Sequence, residues 1–216
     1  MSLTVSARLS PQQNDLFRAK LEALDLTHTW TDGPEVDLLY LCGLPASRLL
    51  NRYEPIAAPV LPGPRYREKA WYFVDVVGRE GESPDKRWAF NEETSFSGWL
   101  AVQHQFRVDG RSPTEVEWIR TGSHLASLEA VRSGAADRAG IDSMIIDLEP
   151  GLLEGLVVVS TWGPWPSPPV VADRHLDPKL RERLRDVFAS PAGGSWLPLG
   201  DGHLDPIIAV AGEEQL

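Results

Sequence analysis

Cysteine is almost absent. Cys42 stands alone in 216 residues, which excludes an internal disulfide and a cysteine-based zinc cluster, and its size suits a small buried position. Positive charge is also scarce. There are 21 Lys and Arg against 31 Asp and Glu, a formal net charge of −10, whereas a nucleic-acid binder needs a basic stripe to neutralise phosphates. A small anion is not excluded, because a few buried donors can hold one inside an acidic protein. No apolar run approaches the roughly 20 residues that span a bilayer, so membrane insertion is not expected. The opening residues, MSLTVSARLSPQQ, lack the basic start and apolar stretch of a secretory signal. As written the chain is expected in the cytoplasm, and outside it where a leader has been removed. G-x-S-x-G, P-loop, G-x-G-x-x-G and H-E-x-x-H patterns are all missing. The five histidines, at 28, 104, 124, 175 and 203, show no paired metal-ligand spacing, so neither metal nor cofactor is expected.

What is present is ordinary in bulk. Hydrophobic residues at 42% and charged residues at 24% suit a globular chain, long enough for one large domain or two lobes sharing a core. Strand-like and helix-like segments alternate, the pattern of an α/β fold with a largely parallel sheet. Leu3–Leu9 alternates apolar and polar like a half-buried strand. Ser10-Pro11 then starts a helix with Leu16, Ala19 or Lys20, Ala23 and Leu24 on one face. Asp37–Cys42, DLLYLC, suits a strand covered on both faces, and Gly43-Leu44-Pro45 breaks it before a short helix through Leu49-Leu50. Ala57–Val60 and Ala70–Val77 read as strands, the second long enough to cross between two lobes, followed by a polar loop at 78–87.

Trp88–Phe90, Glu115–Thr121, Arg138–Ile141 and Leu156–Ser160 continue the strands. Helices are expected up to about Phe106, around Leu125, Leu128 and Val131 as far as Gly134, at Ser143–Leu153, and from Pro178 with Leu180, Leu184, Val187 and Phe188 buried. TWGPWPSPPVV is extended, because its prolines forbid helix, and the tail SPAGGSWLPLGDGHLD reads as loop-rich.

Three strand-to-helix junctions carry the chemistry: Cys42-Gly43-Leu44-Pro45, Thr94-Ser95-Phe96-Ser97-Gly98 and Thr121-Gly122-Ser123-His124. In an open α/β sheet, ligands lie beyond the carboxyl ends of the strands, where such junctions converge. In the last two, hydroxyl side chains stand beside N–H groups that have no partner inside their helix, and the dipole there favours an anion. Plain N-capping by Ser or Thr gives the same residue pattern. His124 fits a local cap as well as a ligand contact. Tyr40, Tyr66 and Trp71 fit a cleft wall or a core, and Trp162, Trp165 and Trp196 fit a wall or a cover.

Asn91-Glu92-Glu93-Thr94-Ser95-Phe96-Ser97-Gly98-Trp99 resembles the Asn-Asp-(x)-(x)-Ser-(Thr)-Ser-Gly-aromatic segment of the phosphate/phosphonate-type substrate-binding proteins of ABC transporters. Thr121-Gly122-Ser123-His124-(x)-Ala126-Ser127, then Val131-(x)-Ser133-Gly134-(x)-Ala136-Asp137 and Ile141-Asp142-Ser143, is similar to the family's second-lobe pattern. Leu41-Cys42-Gly43-Leu44-Pro45 and Gly63-Pro64-Arg65-Tyr66-Arg67 resemble its first-lobe segments, and the likeness runs in order over about 37–190. Phe96 stands where many relatives have a hydroxyl residue, and Trp99 replaces the more usual tyrosine.

The resemblance implies a periplasmic-binding-protein type 2 fold, an α/β architecture. Its two lobes of mixed, mostly parallel sheets are joined by two crossing strands. It assigns 1–77 and 161–216 to one lobe and 78–160 to the other, with the ligand cleft between them. The implied ligand set is Ser95, Phe96, Ser97 and Gly98, then Ser123 and His124, then Asp142, with Gly43 and Tyr66 from the first-lobe segments. Asp142 is equally placed to cap the helix beginning near Ser143. The implied function is a monomeric solute-binding protein that closes on a small anion, a phosphonate or related oxyanion compound. It would act as a sensor or as a transporter component partnered by an ABC transporter membrane subunit. The alternative on the same fold is a cytoplasmic enzyme of cofactor biosynthesis, with Asp142 or His124 as acid–base group.

Overall fold

The computed structural model describes residues 2–33, 35–81 and 85–213, so the expected 78–87 loop lies outside the described residues at 82–84. In chain order the elements are β1 (Leu3–Arg8), α1 (Pro11–Ala23), β2 (His28–Trp30), β3 (Leu38–Leu41), α2 (Gly43–Ser47), β4 (Tyr53–Pro59) and β5 (Trp71–Gly78). Next come β6 (Arg87–Phe90), α3 (Ala101–Val108), β7 (Glu117–Arg120), α4 (His124–Arg132), β8 (Arg138–Asp142) and α5 (Ser143–Leu148). Then follow β9 (Val157–Pro166), β10 (Val170–Asp173), α6 (Pro178–Ala189), β11 (Trp196–Pro198) and α7 (Asp205–Glu213). No helix among the described residues is long and apolar enough to cross a membrane.

The chain divides into two units. The first comprises Met1–Trp71 and Pro166–Ala209, the second Tyr72–Trp165 and Val210–Leu216. The division falls at Trp71/Tyr72 rather than after Val77, because β5 hydrogen-bonds to β8 and β9 in the second unit's sheet.

In the first unit a six-stranded sheet runs β11-β4-β10-β3-β1-β2. β1 lies parallel to β2 and β3, while β10 is antiparallel to β3 and β4, and β11 to β4. The sheet is thus mixed, and parallel pairing is confined to the β2-β1-β3 end. Rings from Phe17, Tyr40, Phe188 and Trp196 pack together with centroids 5.3–6.3 Å apart. Around them lie Val5, Leu38, Ile56 and Val170.

Ser10 and Pro11 start α1 as the sequence signals. Ser10 Oγ accepts from Gln13 N–H at 3.3 Å while the Gln13 side chain takes up the Ser10 N–H at 3.4 Å, a capping box. Of the face expected, Lys20 points inward and Leu16 and Leu24 pack against the core, whereas Ala19 and Ala23 are exposed and Gln13, Phe17 and Leu21 are buried as well. Lys20 is wholly buried, because its ammonium donates to the carbonyls of Ser190, Ala192 and Gly194 at 2.5, 2.7 and 3.2 Å. Three acceptors match the three N–H bonds of an ammonium group, which offsets its desolvation.

The second unit has a five-stranded sheet, β7-β6-β8-β5-β9. β6 is parallel to both β7 and β8, and β5 is antiparallel to β8. Its core gathers Val77, Ala89, Leu128, Val131, Ala139, Ile141 and Ile146. One expectation needs correction: Pro150 ends α5 and leaves a separate turn at Pro150–Leu153. The TWGPWP stretch is extended as expected and continues β9 to Pro166 along a sheet edge, where proline is tolerated. The loop-rich tail also forms the short strand β11, and α7 follows it from Asp205.

Lys20→Met keeps the length of the side chain but strips three carbonyls of their donor. Unfolding in urea should show a loss of about 1–3 kcal/mol, and the segment from Ser190 to Gly194 should gain hydrogen-exchange rate.

Candidate functional site

Because β7, β6 and β8 run parallel in adjacent positions, their carboxyl ends share one edge of the second unit's sheet. Each end turns into a helix start, and those starts carry the polar groups that the sequence singles out. Past Phe90 the chain turns through Asn91–Thr94, where Ser95 N–H donates to the Glu92 carbonyl at 3.0 Å. Ser95 is extended (φ −79°, ψ 130°), and its Oγ accepts from Gly98 N–H at 3.1 Å. The helix opens as a π-helical turn, Phe96–Leu100, before continuing as α3. The Gly98 N–H is taken by the cap, the first bond inside the turn runs from Leu100 N–H to the Ser95 carbonyl at 3.2 Å, and the N–H groups between, Phe96 and Ser97 among them, have no partner within the helix.

The side chains here do different work. Ser95 and Ser97 are buried, at 4% and 2% exposure. Phe96 is wholly buried and meets Trp165 edge-on at 4.9 Å, so its side chain belongs to the core. Trp99 packs on Phe90 and Trp118 at 4.3 and 4.9 Å. Gly98 is required by close approach, since a Cβ there would overlap Asn91 Oδ1 and come within 3.2 Å of His124 Cε1. At Gly140 on β8 a Cβ would lie 2.8 Å from the Ser97 carbonyl oxygen and 2.5 Å from Val102 Cγ2.

At the second junction Ser123 caps α4, its exposed Oγ accepting from Ala126 N–H at 3.1 Å. His124 follows as the first residue of that helix, and its Nε2 lies 3.1 Å from Ser97 Oγ, joining the two junctions. His124 keeps some exposed surface as a residue, but its Nδ1 is buried. Burial pushes the imidazole down to about 4, opposed by the Gly140 backbone. At the third junction Asp142, 5% exposed, caps α5 by accepting from Met144 N–H at 2.8 Å. Ser95, Ser97, Gly98, Ser123, His124 and Asp142 therefore stand at one edge of one sheet.

Gly43 and Tyr66 lie in the first unit. Gly43 opens α2, where a Cβ would overlap Ile207 Cδ1. Tyr66 is 1% exposed, in a turn closed by its N–H to the Gly63 carbonyl at 3.2 Å. Trp162 stacks on Trp88, and Trp196 belongs to the first unit's ring cluster. Asn91 is the residue that sequence reasoning passed over. It stands at the head of the family-like motif, and the structure sets its amide against Gly98.

A neutral His124 in the fold and an ordinary imidazole near 6.5 in the unfolded chain make stability depend on pH. Between about pH 6.5 and about pH 4 the unfolded chain binds a proton that the fold refuses, so stability should fall across that window and lose nothing further through this residue below it. The loss is about 3 kcal/mol at most. Urea unfolding at several pH values checks this. His124→Gln should flatten the acid limb, leaving the contribution of His203, which burial also lowers.

A family model described as the periplasmic substrate-binding protein of the phosphonate ABC transporter matches residues 33–195. Among solved structures, PhnD1 from Prochlorococcus marinus in complex with methylphosphonate superposes with a TM-score of 0.78 at 16% identity, covering 99% of this chain and 98% of that one. The binding component of a phosphonate ABC transporter from Pseudomonas aeruginosa gives 0.74 at 15% identity, covering 99% and 86%. A Xanthomonas citri protein bound to ATP gives 0.70 at 14%, covering 99% and 98%. At these identities the structures establish the fold, of periplasmic-binding-protein type 2, while the family model spans most of the sequence: the chain belongs to the phosphonate-binding, periplasmic substrate-binding proteins of ABC transporters.

Proposed function

We propose that the protein binds a small phosphonate or related oxyanion compound at the helix start formed by Ser95–Gly98, and passes it as a monomer to the membrane subunit of an ABC transporter outside the cytoplasm. The observation that carries this reading is the joining of two helix starts through Ser97 and His124 at 3.1 Å, on an edge where three parallel strands end. The N–H groups of Phe96 and Ser97 donate to the anion and lie on the positive end of the helix dipole. Ser95 Oγ accepts from Gly98 N–H, so its own O–H is left to donate outward. Ser123, His124 and Asp142 border the same place. Gly43 and Tyr66 remain in the ligand set on the family resemblance alone. The match of this chain to a family of phosphonate binders supports the ligand class.

Calorimetric titration with methylphosphonate tests the assignment. Replacing Ser95 and Ser97 together by alanine should weaken binding at least about tenfold, since a hydrogen bond to a charged group contributes roughly 1.5–3 kcal/mol. An unchanged affinity in the double variant would move the ligand away from this helix start.

A further inference from the structure

The first unit holds a cavity of about 340 Å³ that takes no part in the anion site. Its walls come from the start of β1, the turn after α1 and one stripe of α6. Six aliphatic side chains line it: Leu3, Leu24, Leu26, Leu180, Leu184 and Val187. Leu3 and Leu184 are buried, whereas the other four are only half-buried, so apolar surface meets water there. Its volume lies within the range of small-molecule pockets.

Two charged residues, Asp25 and Arg183, line the same cavity, and among the described residues neither side chain has a hydrogen bond or an ion pair. The arginines flanking Arg183 behave otherwise. Arg181 and Arg185, one turn apart, both pair with Glu54, at 2.6 and 2.7 Å. Arg183 stands on another face of α6, three residues after Leu180 and four before Val187, and so shares their apolar stripe. Asp25 sits between Leu24 and Leu26 at φ 49°, a left-handed backbone that a non-glycine residue seldom adopts. Water solvates both charges but offers nothing to the aliphatic groups beside them.

We propose that this cavity binds a small aliphatic zwitterion, an α-amino acid with a branched apolar side chain. Its carboxylate takes two parallel hydrogen bonds from the Arg183 guanidinium, its ammonium meets the Asp25 carboxylate, and its side chain covers the leucines. The two charges discriminate as well as attract. A plain carboxylate would face Asp25 with like charge, and a plain amine would face Arg183. The inference is independent of the reading that Ser95–Gly98 holds an anion.

Methyl spectra of the otherwise unaltered protein, labelled at its leucine and valine methyls and titrated with L-leucine, test it. The signals of Leu180 and Val187, assigned by their loss in Leu180→Met and Val187→Ile, should shift. Binding of 4-methylpentanoate, which lacks the ammonium, and of 3-methylbutylamine, which lacks the carboxylate, should each be about three- to tenfold weaker than that of leucine. Arg183→Gln and Asp25→Asn should weaken leucine by a similar factor and leave the titration with methylphosphonate unchanged. Both residues are exposed, so these variants should keep the unfolding midpoint of the unaltered protein. No shift with millimolar leucine, shifts confined to other methyls, equal binding of either analogue, or an unchanged leucine affinity in both variants overturns the proposal. Methyl shifts that follow protein concentration without leucine overturn it too, since they set a second copy over the leucines. Leucine bound here with methylphosphonate not bound at all would sink the proposed function alone.

Discussion

Close approach around two glycines is the constraint on which the site depends. At Gly140 the strand comes so near the first helical turn that any side chain would press on the Ser97 carbonyl, and at Gly98 the Asn91 and His124 side chains occupy the space a Cβ would take. Glycine at 140 lets the helix start settle against β8, and glycine at 98 lets those two side chains close on it. Only then is Ser97 buried, and only then does the His124 ring reach it at 3.1 Å. Burial has an electrostatic consequence, because the same removal of water that holds His124 neutral strengthens every hydrogen bond an anion could receive there.

Capping and ligand binding are often set against each other as explanations of a serine at a helix start. Here they are compatible. Each of Ser95, Ser123 and Asp142 satisfies one N–H of its helix, at 3.1, 3.1 and 2.8 Å. A helix start has several such donors, so one cap fixes the geometry and leaves others available. The parallel order β7-β6-β8 multiplies the effect, since it brings three of these starts to a single edge.

The first unit is held differently. Four aromatic rings fill the space between its sheet and helices, and Lys20 ties the segment after α6 to α1 through carbonyls about 170 residues away in sequence. The opening helix and the closing segment are thereby made parts of one body, so the chain can leave for the second unit and return without loosening the core. The sheet's antiparallel strands β10 and β11 are the ones contributed by the returning chain.

Local chemistry determined much of this protein from the sequence alone. Caps, strand-ending turns and apolar runs act over two to four residues, so Ser10, Ser95, Ser123 and Asp142 announce their helices, and β1, β3, β6 and β8 stand close to where the residue pattern puts them. The motif order fixed the family for the same reason. Tertiary structure decided the rest, because contacts between distant residues leave no periodic trace. It chose Lys20 over Ala19 for the buried face by supplying carbonyls to its ammonium, drew Phe96 into the core against Trp165, ran β9 through two prolines along a sheet edge, and set the Asn91 and His124 side chains against Gly98. Each outcome depends on what an atom meets across the fold, and a phenylalanine or an asparagine carries no local signal of its future neighbour.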